Sequence, residues 1–218
     1  MTENQIIDKV RVILNEAGEE NSLALLTEDT VKLGDYIRES IPDAVSLIQM
    51  NSPLWPVNKK SVTTLAVSVK NGGGIADAPS DFVRLINVMV SDWKRQCCVS
   101  LSINSEAYKQ QCNSYTRTGV NKPLCFYGHG SSGKQLYLYP FSTDSKVLYL
   151  NYEASYSPSS GLDLDANDPV FLAVCYMTAS LVYTIFENKA SADAMAQIAI
   201  KYIPLNEVMA TAGLKLTH

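Results

Sequence analysis

The sequence predicts an α+β fold: a helical bundle formed by the N- and C-terminal helices, with an antiparallel β-sheet and hairpin region inserted between them. Three observations carry this. Apolar residues recur at helical spacing near both ends, they alternate with period two between Ser61 and Tyr156, and Gly- or Pro-rich breaks separate the regimes. Two helical ends that pack together make a single compact unit with an insertion. The expected division is 1–60 with 162–218 for the bundle and 61–161 for the β-rich region.

At the N-terminus, Ile6, Ile7, Val10, Ile13, Leu14 and Ala17 share one helical face, and Gly18 is a stop. Thr27 is a good N-cap for a second helix, with Glu28 and Asp29 where the helix dipole favours acids. Its apolar face is Val31, Leu33, Tyr36 and Ile37. Pro42 suits the first turn of a third helix running to Met50, and Pro53-Leu-Trp-Pro56 is hostile to helix.

Leu65, Val67 and Val69 then alternate, and Gly72-Gly-Gly74 breaks the chain. Pro79-Ser-Asp81 reads as a turn, Val83 to Val90 as a strand, Ser91-Asp92 as a reversal and Trp93 to Ile103 as the returning strand. The expected product is a central β-hairpin. Ser105 caps a short helix to Cys112, and Leu124–Tyr127, Gln135–Tyr139 and Lys146–Tyr152 read as strands. Pro158-Ser-Ser-Gly161 closes this region. Asn167-Asp-Pro169 opens a helix, with a cap and an N1 proline, whose apolar run reaches Phe186. Ala190–Ile203 and Pro204–Ala212 read as two further short helices, with Gly213 as a stop.

With 218 residues, 46% hydrophobic and 18% charged, the chain can bury a core. A net charge of −4 argues against tight nucleic-acid binding, which needs a basic face, but allows a surface past which DNA slides. The five cysteines (Cys97, Cys98, Cys112, Cys125, Cys175) are odd in number and lack zinc-site spacing, so they read as reduced thiols of a cytosolic product. Met1 to Gln5 does not open a signal peptide.

Three motifs carry a sharper reading beside a plain one. Gly128-His-Gly-Ser-Ser-Gly-Lys134 nearly fits a phosphate-binding loop, but Gln135 replaces the hydroxyl and a strand-like run follows where a helix is needed. It reads as a hairpin tip, with a small nucleotide-binding enzyme as the alternative. Asp163-Leu-Asp-Ala-Asn-Asp168 begins like a calcium loop but lacks Gly at position six and Glu at position twelve, so Asn167 and Asp168 read as caps. Val170 to Phe186 is uncharged, at the short limit for a membrane span, and its Thr178, Ser180 and Thr184 favour burial in a protein core or between subunits. His129 and His218 complete no triad, and Asp81 and Asp92 are turn formers. Lys94 and Arg95 read as a solvated strand end that touches a phosphate backbone if the hairpin faces DNA. No catalytic, cofactor-binding or metal residue is expected.

The central stretch, Pro79-Ser-Asp-Phe-Val-Arg-Leu85 with Ser91-Asp-Trp-Lys-Arg95, resembles the middle of tailed-bacteriophage head-to-tail connectors, also called neck adaptors or ring proteins. Asp35-Tyr-Ile-Arg-Glu-Ser-Ile-Pro-Asp-Ala44, Asn121-Lys-Pro123 and Asn167-Asp-Pro169, with Glu187 beyond the apolar helix, agree in order. The likeness spans roughly Ile6 to Tyr202 and extends to connectors of crAss-like podoviruses. It implies a non-enzymatic virion protein without cofactors, assembled in the host bacterial cytoplasm as a homo-oligomeric, dodecameric ring at the neck. Implied partners are the portal protein above, the next neck ring or tail protein below, and genomic double-stranded DNA passing without sequence-specific binding; no membrane is implied. On this reading Val170, Val174, Met177, Leu181 and Ile185 of the apolar helix form an oligomer or partner interface, with Leu205, Leu214 and Leu216 of the C-terminal segment. Another tail or accessory virion role is the nearest alternative.

Overall fold

A computed structural model describes residues 2–16, 27–52, 57–130, 133–159, 161–162, 164–165 and 168–203. The chain divides into two compact units, 1–58 with 156–218, and 59–155.

The first unit holds α1 (Glu3–Glu16), α2 (Thr27–Asn51), α4 (Pro169–Ile185) and α5 (Lys189–Tyr202). The second and third helices expected from sequence are one helix, α2, with Pro42 inside it. Its buried face runs through Leu33, Ile37, Ile41, Ala44, Val45 and Ile48 without losing helical phase at Pro42. Pro42 points to solvent and forfeits one backbone bond, a cost of about 3 kcal/mol that continuous burial of this stripe outweighs. Asp168 caps α4, accepting from the Val170 N–H at 2.9 Å, with Pro169 in the first turn as the sequence indicates. Pro204–Ala212 lies outside the described residues.

The helices do not form the expected terminal bundle. Helix α4 is buried on nearly every side at the centre of the unit's core, with α1, α2 and α5 each packed on it, while strands dominate the middle of the chain. Its polar side chains are satisfied locally. Thr178 and Thr184 donate to the carbonyls one turn back, Val174 at 2.8 Å and Ser180 at 2.9 Å. Ser180 donates to the Ala192 carbonyl of α5 at 2.8 Å, and the Tyr183 hydroxyl to the Leu14 carbonyl of α1 at 3.1 Å.

The second unit contains two sheets rather than one antiparallel insertion. One has the order β1-β8-β4, from β1 (Lys59–Val62), β8 (Val147–Ala154) and β4 (Phe82–Val90). The other has the order β2-β3-β7-β6-β5, from β2 (Ser68–Lys70), β3 (Gly73–Asp77), β7 (Gly133–Tyr139), β6 (Leu124–Gly130) and β5 (Ser100–Ser102). β5 runs parallel to β6, and the crossover between them carries the short helix α3 (Glu106–Gln111). Leu136 and Leu138 of β7 share a core with Phe82, Val88 and Leu150 of the three-stranded sheet. Tyr137 and Tyr139 point to the opposite face, where they and Phe126 meet Tyr108 of α3.

The expected central hairpin is also absent. Ser91 and Asp92 do reverse the chain, but β4 pairs along its length with β8. The returning segment is bridged to β4 at Val88–Cys97, and the Trp93 N–H donates to the Val90 carbonyl at 3.0 Å. Trp93 explains the departure. Its ring is buried and its indole N–H donates to the Pro140 carbonyl at 2.7 Å, drawing the chain off the ladder. The Gly72–Gly74 run is a hairpin rather than a break: Asn71 and Gly72, at φ 51° and 66°, form the two-residue turn between β2 and β3. Gly73 then lies under the Tyr139 ring, where a Cβ would fall 2.4 Å from a ring carbon.

Candidate functional surfaces

The Pro79-Ser-Asp-Phe82 element is a structural knot. The Phe82 N–H closes a turn on the Pro79 carbonyl at 2.9 Å, and the Ser155 N–H donates to the Asp81 carbonyl at 2.8 Å. The Asp81 carboxylate takes Lys60 Nζ on one oxygen at 2.6 Å and the Tyr152 hydroxyl on the other at 2.9 Å. Partial burial raises the Asp81 pKa, but the bonds from Lys60 and Tyr152 and the lysine charge outweigh it, and the carboxyl ends below its ordinary value. Tyr152 is pushed up to about 12, by burial first and then by the anionic partner.

A depressed carboxyl pKa stabilises the fold above the unfolded-state value and loses that contribution as pH falls through the folded one. Part of the acid destabilisation below the ordinary value of 3.8 is therefore expected to come from Asp81. Thermal midpoints measured from neutral pH down to about pH 3 check this: Asp81→Asn should lower the midpoint at neutral pH and flatten its fall in acid. An unchanged slope would show that Asp81 does not contribute.

Asp92 organises the other end of β4. Its carboxylate accepts hydroxyl protons from Ser145, from Ser91 at 3.0 Å and from Ser142 at 3.0 Å, which hold its pKa below the ordinary value. Both aspartates are thus turn anchors, as their sequence positions suggest. On the face of the three-stranded sheet away from Leu150 and Tyr152, Arg84 pairs with the fully buried Glu153, and Asn151 donates to Asn87 at 2.8 Å.

The glycine-rich loop does not have phosphate-binding geometry. His129 pairs with Lys134 and Gly130 with Gly133 across the β6–β7 hairpin, so a strand follows where a helix is required. The Lys134 ammonium donates to the Phe82 carbonyl at 2.9 Å. Of the calcium-like segment, Asp163 and Asn167 lie outside the described residues and Asp168 caps α4. Among the described residues no cluster of His, Cys, Asp or Glu could hold a metal ion. No helix among them is long and apolar enough to cross a membrane.

The five cysteines are free thiols. Burial raises the pKa of Cys97 and Cys125 and pushes Cys175 up to about 12, so these three are protonated and unreactive at neutral pH.

The expected interface residues fall into three groups. Val170, Val174 and Met177 are buried within the chain's own helical core, and Leu181 is half-buried against it. Ile185, at the end of α4, is 49% exposed. Leu205, Leu214 and Leu216 lie outside the described residues. Other apolar side chains open to contact include Leu47 and Met50 on the outer face of α2, Val99 after the Val88–Cys97 bridge, and Tyr115 in the loop after α3. Sequence periodicity does not single these out, since an exposed apolar residue looks like a buried one until the buried face is fixed.

A family model described as SU10 adaptor protein matches residues 1–207. No curated protein matches the chain. The family match gives no crAss-like assignment. Spanning nearly the whole sequence, it places both units and the central Pro79–Arg95 stretch within a single phage-adaptor pattern, and the chain belongs to the SU10 adaptor protein family.

Proposed function

We propose that the chain is a structural, non-enzymatic virion protein of the phage neck: a head-to-tail connector that forms a ring, dodecameric in the assembled particle, beneath the portal. The ring extends the channel through which double-stranded DNA passes without sequence-specific contact, and it offers a docking surface to the next ring or the tail. The observation that carries this reading is the adaptor family match over residues 1–207. The apolar residues exposed on α2 and at the end of α4 support it, because they are surface available for burial by a partner. On this reading the ring assembles in the host bacterial cytoplasm and resides at the neck of the virion.

In the same proposal Ile185, with Leu205, Leu214 and Leu216 of the C-terminal segment, supplies partner contacts, and residues 205–218 dock on the portal. Purified protein mixed with portal rings of the same virus is expected to add a symmetric layer to one end of the portal in electron micrographs. A chain with residues 205–218 scrambled is expected to lose that layer. Retained docking would remove the segment's assignment. Failure of the unaltered chain to bind portal, alone or with other neck proteins, would favour a different tail or accessory virion role.

A further inference from the structure

The formal charge of −4 conceals a division between the two units. Residues 59–155 carry eleven lysines and arginines against six aspartates and glutamates, a formal +5. The remainder carries seven against sixteen, a formal −9. Within the β unit the excess has one source. Between residues 93 and 143 the only acid is Glu106, which is spent on Lys109 at 3.1 Å, against Lys94, Arg95, Lys109, Arg117, Lys122 and Lys134.

Lys94, Arg95 and Lys122 are exposed and are brought to one corner, because the Lys94 N–H donates to the Val120 carbonyl at 3.0 Å. The loop that carries Lys122 is braced rather than loose. Arg117 Nε donates to the Gln111 carbonyl at 3.0 Å, the Thr118 N–H to Gln111 Oε1 at 2.8 Å, and the Thr116 hydroxyl to the Gln110 carbonyl at 2.7 Å. It holds Tyr115 at 95% exposure, and Val99 beside the other basic segment is 62% exposed. An exposed tyrosine on a braced loop that also carries Arg117 and Lys122 has the composition of an interface anchor.

The complement is on the outer face of α2. Asp35, Glu39 and Asp43 recur every four residues on the side turned to solvent, and Leu47 and Met50, the latter 75% exposed, continue the same face. Arg38 engages Asp35 and Glu3, leaving Glu39 and Asp43 as the outward charges of the stripe. An acidic stripe ending in two apolar side chains matches a basic corner flanked by two apolar side chains. A ring needs such a pair of different, complementary patches on every subunit, because its contacts are head-to-tail.

We propose that the corner formed by Lys94, Arg95 and Lys122 with Tyr115 receives the outer face of α2 from a second copy of this chain. This inference rests on the ring reading above. DNA is the competing acidic partner, but a cationic corner repeated around a channel would grip the phosphates that must slide through it.

The test uses two full-length charge-reversed chains, Lys94→Glu/Arg95→Glu/Lys122→Glu and Glu39→Lys/Asp43→Lys, each checked for an unchanged circular dichroism spectrum and thermal midpoint. Self-association is read by sedimentation and, in parallel, by rings formed on purified portals. Each variant alone is expected to associate about tenfold more weakly than the unaltered chain, whose own association should weaken from ~0.05 M to ~0.5 M salt. An equimolar mixture should restore association, because the two chains can alternate with opposite charges facing at both junctions.

A mixture no better than either variant overturns the proposal. So does a first variant that associates normally and loses only its retention of double-stranded DNA, which would make the corner a phosphate surface. Normal rings from both variants on portals would sink this inference and leave the ring reading standing. No association and no rings from the unaltered chain would sink both.

Discussion

Phe82→Ala is expected to lower the unfolding free energy by about 4 kcal/mol. The Phe82 ring is 1% exposed and lies between two tyrosines, Tyr127 at 5.4 Å and Tyr152 at 5.6 Å between ring centroids, both close to parallel. Truncation removes the transfer energy of the ring, leaves a cavity beside Tyr152, whose hydroxyl is tied to Asp81, and forfeits two aromatic contacts. Tyr152 cannot move into the gap without releasing Asp81, which also holds Lys60. Phe82→Leu fills most of the volume and is expected to cost only about 1.5 kcal/mol. Urea unfolding of the two variants checks the pair of values. Equal, small losses would mean that the site collapses freely and that the Pro79–Phe82 element does not pin the two sheets.

Arg84→Met is expected to cost about 3 kcal/mol, with Arg84→Met/Glu153→Leu recovering most of the loss. Glu153 is fully buried, whereas Arg84 is a quarter exposed. Taking the arginine away withdraws a neighbouring cation from a carboxylate that water cannot reach, which raises the cost of keeping that carboxylate ionised. The pair itself contributes far less, since the two ions lose hydration on entering the fold. A double-mutant cycle in urea separates these contributions. If the double variant proved less stable than Arg84→Met, the ion pair would be a net source of stability rather than a balanced one.

The helical half of the fold was legible wherever burial on one face and a capping residue agree. Asp168-Pro169 and the Ile6–Leu14 face are examples. Pro42 misleads because its local preference points to a helix start, while the stripe from Leu33 to Ile48 shows that packing carries the helix through it. Strands β6, β7 and β8 are readable from period-two alternation. Their partners are not, because pairing depends on where side chains far apart in sequence find room. Trp93 reads as an ordinary strand residue until the Pro140 carbonyl appears beside its indole. Asn71-Gly72 carries the signature of a two-residue hairpin turn, and the two glycines after it disguise the signal as a break. The candidate surface was less legible still. A whole-chain charge of −4 averages over two units of opposite sign, and only the division at residues 59 and 155 separates them. Tyr115 stands in a polar segment outside the alternating run that holds the buried Tyr137 and Tyr139, but nothing in that segment marks it as a contact residue.

Helix α5 rests on α4, joined to it by the Ser180–Ala192 hydrogen bond and by burial of Ala192 and Ala199. Tyr202 adds a ring stacked on Tyr176 at 5.6 Å and Ile203 is buried just beyond it, so α5 is anchored by large side chains at its C-terminal end and by small ones along its length. Ala199 is fully buried, and Ala199→Leu is expected to push α5 off α4 and to speed deuterium exchange of the α5 amides relative to those of α1 and α2. Such a displacement would bare part of α4, which is uncharged from end to end, so the size of one alanine sets how much of that helix meets water.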